Sequence, residues 1–173
     1  MDFKEFDLRD FPNSFIAVTK AVLLRPGEFF RVMPTEGGFG PPVAYLGICF
    51  AIWALLRSLI LLNPLFILLG IISFFFSFLG AGILQLVLKK FFGARGNYEA
   101  TFRVVAYSGA VNLLSWIPFL GFLASLYGLW LKIVGLEAVH GVTKLKAFLA
   151  VLISAVIFIL ITLPIGGFVF LWA

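Results

Sequence analysis

The sequence predicts an all-α integral membrane bundle of five transmembrane helices preceded by a short N-terminal interfacial amphipathic helix. Three observations predict it. Of 173 residues, 62% are hydrophobic and only 12% charged, with a mean hydropathy of +1.13, whereas about a quarter of the residues in soluble domains are charged. The apolar stretches are continuous and about 20 residues long, as a helix crossing a hydrocarbon core about 30 Å thick requires, and they lack the alternation of a β-barrel strand. The strongly basic segments fall at every second boundary between stretches, and the turns between carry no charge. This division gives a cytoplasmic lead-in, residues 1–41, and a five-helix transmembrane domain, residues 42–173.

In the lead-in, Lys4, Arg9, Lys20, Arg25 and Arg31 are interspersed with acids. From Asn13 or Ser14, either a suitable helix cap, Phe15, Val18, Val22 and Leu23 recur at helical spacing until Pro26-Gly27 ends the pattern. Phe29, Phe30 and Met33 add a short apolar patch beside Arg31. One apolar face with basic flanks suits a helix lying at the cytoplasmic interface, and packing on the bundle is the alternative. "PTEGGFGPP", Pro34 to Pro42, is a helix-breaking connector. No cleavable signal peptide is visible in the acidic first 14 residues, so the spans are expected to direct insertion.

Span one covers about Pro42 to Leu62, with Ala44, Gly47, Ala51, Ala54 and Ser58 on one face. Small residues let helices meet closely in lipid, where apolar side chains gain little by meeting each other, so this is the expected packing face. Arg57 lies near its far end, where the guanidinium can reach the outer interface. After "NP", span two runs from about Leu65 to Leu88 with a Gly70, Ser73, Ser77, Gly80 stripe, and ends in Lys89-Lys90 and Arg95. Span three, about Glu99 to Ser115, carries Tyr107 and Asn112, and Glu99 can pair with Arg103 four residues on. Val104 to Leu131 has no charge and is too long for a single pass, so Ile117-Pro118 is the expected bend of a helical hairpin, with Trp116 at the outer interface. Span four, about Phe119 to Val139, repeats Gly121, Gly128 and Gly135 every seven residues. Span five runs from about Ala147 through Thr162, after Lys144 and Lys146, and Pro164, Gly166 and Gly167 are expected to kink or end it.

Placing basic segments inside makes this a multi-pass protein of the cell membrane, N-terminus cytoplasmic and C-terminus on the opposite side. Lys89, Lys90, Arg95, Arg103, Lys144 and Lys146 then form the expected cytoplasmic surface. The net charge of +5 is explained by this orientation, with no nucleic acid partner. Of the polar residues in the spans, Arg57 is expected to meet Asn112 and carbonyls freed by Pro164, while Glu137 is expected to join Lys132 or Arg103, with His140 at the same end. Cys49 and His140 are each the only residue of their kind, so no thiol cluster or two-histidine metal site can be built, and Gln85 adds only an amide. Ser115 and His140 belong to opposite ends of span four, which excludes a serine–histidine pair. No hydrolase, metalloprotease or nucleotide-binding motif appears, and the protein is expected to be non-enzymatic without a cofactor.

Three runs resemble the Yip family, the Ypt/Rab-interacting proteins, in its prokaryotic branch: "LLRPGEFFRVMPTEGG", "TFRVVAYSGAVNLLSWIPFLG" and "LYGLWLKIVGLEAVHGVTKLKAFLAVL". The resemblance extends from about Pro26 to the middle of span five, and it implies five spans, a cytoplasmic N-terminus and no known enzyme activity. For eukaryotic relatives it implies binding of small lipid-anchored GTPases and a role in vesicle traffic or membrane shaping; those relatives have a longer N-terminal cytosolic domain than this lead-in. Two functions are weighed. One is a membrane-organising or adaptor protein that meets lipids, further copies of itself or another membrane protein through its packing faces and basic surface. The other is a small-solute, ion or lipid transporter or channel using Arg57, Tyr107, Asn112 and the Pro164 break.

Overall fold

A computed structural model of the chain describes residues 5–117 and 119–172, with side chains described as far as residue 163. Among these residues there are eight α-helices joined by short turns and no strand. The lead-in supplies α1 (Asn13–Leu24) and α2 (Pro26–Val32), and the rest of the chain α3 (Gly40–Leu61), α4 (Leu65–Phe92), α5 (Tyr98–Ser108), α6 (Asn112–Ser115), α7 (Leu120–His140) and α8 (Lys144–Trp172). Continuous apolar sequence explains the long elements: α3, α4, α7 and α8 as far as Leu163 are long and apolar enough to cross a membrane. Leu59, Phe75, Phe122 and Leu160 stand largely exposed along them, as side chains facing lipid would.

The expected third span takes a different form. It begins where Asn97 Oδ1 accepts from Ala100 N at 2.8 Å, capping α5. The helix tightens into a 3₁₀ turn over Gly109–Val111 before the short α6. Gly109 lies against Leu46 of α3, which a Cβ at that position would meet at 2.7 Å. Unlike the four long helices, α5 is almost wholly buried, along with the 3₁₀ turn. Helices α4, α7 and α3 pack directly against it, and α8 packs on α4 and α7. The hairpin's turn, centred in sequence on Ile117-Pro118, includes Pro118, which lies outside the described residues.

The side between α7 and α3 is closed by the lead-in, which packs on the bundle. Phe15, Val18, Ala21 and Val22 of α1 and Phe29 and Phe30 of α2 are buried. Thr19 shares a hydrogen bond of 2.9 Å with Tyr45 Oη on α3, and Tyr127 Oη of α7 donates to Leu23 O at 2.6 Å. Phe6, Phe15, Tyr45, Tyr107 and Phe29 form a chain of rings with centroids 5.1–6.2 Å apart. Such pairs are worth about 0.5–1.5 kcal/mol each beyond their buried area. A periodic apolar stripe fits lipid and protein equally well, and these rings decide for protein.

The small residues of the spans meet their surroundings in different ways. Gly70 lies so close to α3 that a Cβ would meet Ala54 at 2.7 Å, Gly47 faces Phe74, and Gly80 faces Phe158 of α8 at ordinary contact distance. Gly128 and Gly135 admit Val111 and Val104, whereas Gly121 packs on its own approach, against Ser115 O. Ala51 is exposed, lining an open groove between α3 and α4. The helix α8 continues through Pro164, Gly166 and Gly167 to Trp172 instead of ending there: proline removes one backbone bond, a loss that membrane helices tolerate.

Candidate functional site

The two ends of the bundle differ in charge. At the end formed by the α4–α5 loop and the α7–α8 turn, Lys89, Lys90, Arg95, Lys144 and Lys146 are all exposed. Arg103 is not part of that surface, because its side chain is fully buried. It sits one helical turn into α5, and Glu99, four residues back, accepts from its Nη2 at 3.0 Å and its Nε at 3.2 Å. Its Nη1 donates to Glu5 Oε1, and its Nη2 donates to Gly38 O at 2.7 Å. The same carboxylates are tied further: Gly38 N donates to Glu99 at 2.7 Å, and Tyr107 Oη donates to Glu5 at 3.0 Å. Gly38 and its neighbour Gly37 have φ values of 95° and 124°, a backbone that glycine adopts without strain. One guanidinium thus fastens the first described residues, the connector and α5 together. A buried cation is tolerated only when paired and hydrogen-bonded in this way.

A second knot binds the basic loop to α5 and α7. Gln85 Nε2 donates to Gly96 O at 2.8 Å, so its Oε1 is left to accept from Thr101 Oγ1. The Thr101 proton is thereby committed, and His140 Nε2 must donate to Thr101 Oγ1 across 2.8 Å. A neutral His140 then has a bare Nδ1, which is buried without a partner against Gly96, where a Cβ would come within 2.5 Å of it. Gln85 and His140 are visible in the sequence as isolated polar residues. Thr101 shows no pattern of its own and is found only once α4, α5 and α7 are assembled.

Glu137 pairs with Lys144, at 3.8 Å, and not with Lys132 or Arg103: Arg103 is engaged by Glu5, Glu99 and Gly38 O, and Lys132 lines a groove between α4 and α8 with Ser77 and Ser154. Tyr107 belongs to the Arg103 knot and so is not part of a polar path at the other end. Among the described residues no three His, Cys, Asp or Glu gather as metal ligands would.

At the uncharged end, Arg57 donates from Nη1 to Trp116 O at 3.0 Å and lies over the Phe66 ring at 5.5 Å. Trp116 O is not among the carbonyls expected to meet Arg57, those freed by Pro164, whose side chain lies outside the described residues. Asn112 lines the same cleft as Arg57, of about 490 Å³, with Ser115.

These features define an all-helical protein with several membrane-crossing helices, a charged end and an uncharged end. Compared with known families, residues 20–165 match the Yip1 domain, which is most of the chain. The chain belongs to the Yip family of non-catalytic, multi-pass membrane proteins. No curated protein and no solved structure matches it.

Proposed function

We propose that this Yip-family chain organises its membrane by binding anionic lipids or protein partners at the cytoplasmic face, without catalysing a reaction. In this reading it crosses five times, with the interrupted path of α5 and α6 as the third crossing, the N-terminus in the cytoplasm and the C-terminus opposite. The observation that carries it is the imbalance of available charge at the basic end. Lys89, Lys90, Arg95 and Lys146 are exposed, while Glu5 and Glu99 are engaged by Arg103, Glu36 accepts from Asn97 at 3.3 Å and Glu137 lies near Lys144. What faces the headgroups there is positive, and juxtamembrane basic residues are attracted to anionic leaflets by about 1 kcal/mol each.

Neutralising Lys89, Lys90 and Arg95 together to Gln should weaken recruitment of anionic lipid by about two orders of magnitude if the three contributions add. Exchange of labelled phosphatidylglycerol in mixed-lipid nanodiscs measures this, and unchanged recruitment would reject the reading. Partners beyond lipid are expected to be further copies of the chain or another membrane protein.

A further inference from the structure

At the end of the bundle away from the basic loops, Arg57 has no carboxylate partner among the described residues. In the sequence no Asp or Glu occurs between Glu36 and Glu99, between Glu99 and Glu137, or after Glu137, so the spans bring no carboxylate to the far ends of α3, α4, α6 and α7. Among the described residues Arg57 is the one basic side chain there. It lies only four residues before the end of α3, where an arginine could extend straight out to water. Instead, it turns sideways across the bundle, with Nη1 fixed to Trp116 O at 3.0 Å and the cation over Phe66.

That bond uses one of five N–H groups. The edge formed by Nε and Nη2, the pair that grips a planar or tetrahedral oxyanion with two parallel hydrogen bonds, has no partner among the described residues. Arg57 lines an open cleft of about 490 Å³ shared by α3, α4, α6 and α7. Asn112 offers an amide to the same space, and Ser73 a hydroxyl. Trp53 and Phe122 supply apolar walls.

We infer that this cleft is an anion site which takes a phosphate group, with Arg57 as the fork and Asn112 as the second donor. The phosphate belongs either to a phospholipid headgroup of the adjoining leaflet, whose glycerol and first methylenes would lie on Trp53 and Phe122, or to free phosphate in solution. Both present the same oxyanion to Arg57. The site is separate from the basic face at the other end of the bundle and does not depend on that face binding anything.

The test uses the full-length protein in a neutral detergent, titrated separately with dioctanoylphosphatidylglycerol and with inorganic phosphate. Tryptophan fluorescence and the melting temperature are followed. Saturable binding of the lipid alone assigns the headgroup, binding of both assigns a phosphate site open to solution, and binding of neither overturns the proposal. Arg57→Gln should weaken binding about tenfold or more, the loss expected for a charge-assisted bidentate contact. Ser125→Trp is the independent check: Ser125 is exposed on the wall of the cleft, so the indole should block it without touching the Arg57 bond, and binding should fall as far. Neutralising Lys89, Lys90 and Arg95 removes lipid held at the basic face, and the component of binding that Arg57→Gln and Ser125→Trp abolish should persist in that background. Binding that loses no component in Arg57→Gln or Ser125→Trp, and vanishes wholly with the triple change, would place the anion at the basic end and overturn the proposal.

Discussion

Arg103 and Arg57 occupy opposite ends of one bundle and show two ways of keeping a cation among apolar helices. Arg103 is fully buried with every guanidinium nitrogen hydrogen-bonded, and it holds Glu5, Glu99 and the Gly38 carbonyl. Arg57 is half-buried and makes a single hydrogen bond, to Trp116 O. The first arrangement is architectural, since three separate stretches of chain lose their common anchor without it. The second leaves donors unused beside an open cleft. Degree of satisfaction, and not depth alone, separates the structural charge from the one available to a ligand.

The sharpest way to break that comparison is to remove each cation in turn. Arg103→Met leaves Glu5 and Glu99 uncompensated, and breaking a buried charge network in this way costs about 3–5 kcal/mol. Thermal unfolding in detergent should show the largest loss of any single change tried here. A loss no greater than that of Arg57→Gln would show that the knot is not an anchor. Next comes packing at the same end: a Cβ at Gly135 would meet Val104 at 2.6 Å and Phe30 at 3.2 Å. Gly135→Val should therefore cost about 1–3 kcal/mol by overpacking, whereas Gly80→Ala, whose Cβ would sit 3.9 Å from Phe158, should fall within about 0.5 kcal/mol of wild type. Equal effects at the two glycines would mean that the close approach of α7 to α5 is not what holds this end. The smallest effect is expected at the uncharged end. Arg57→Gln gives up one hydrogen bond and should lower stability by about 1 kcal/mol, so its main consequence should be on ligand binding.

The same contrast explains what the residues disclosed in advance. Long apolar runs bounded by Asn63-Pro64, Lys89-Lys90 and Gly141 place α3, α4 and α7 to within a few residues, because lipid leaves a helix no alternative pattern. The pairing of Glu99 with Arg103 is legible from spacing on one helix. Glu5 is not, since it reaches Arg103 across 98 positions of chain and no periodicity marks it. The interruption of α5 after Ser108 is equally hidden: it reflects how Gly109 fits against Leu46, a contact between helices. Depth along a helix predicts that Arg57 meets a backbone carbonyl, but the choice of Trp116 is made by the α6–α7 turn.

Everything said of the two ends depends on α5–α6 and α7 forming a there-and-back pair, with the basic loops on one face of the membrane. Cys49 is the only native cysteine, so a Cys49→Ala background permits single replacements at Asn63, Phe119, Lys90 and Lys146, all exposed. A membrane-impermeant maleimide applied to intact cells should label Asn63→Cys and Phe119→Cys, and should reach Lys90→Cys and Lys146→Cys only after permeabilisation. Labelling of Phe119→Cys and Lys146→Cys from the same side would contradict the account.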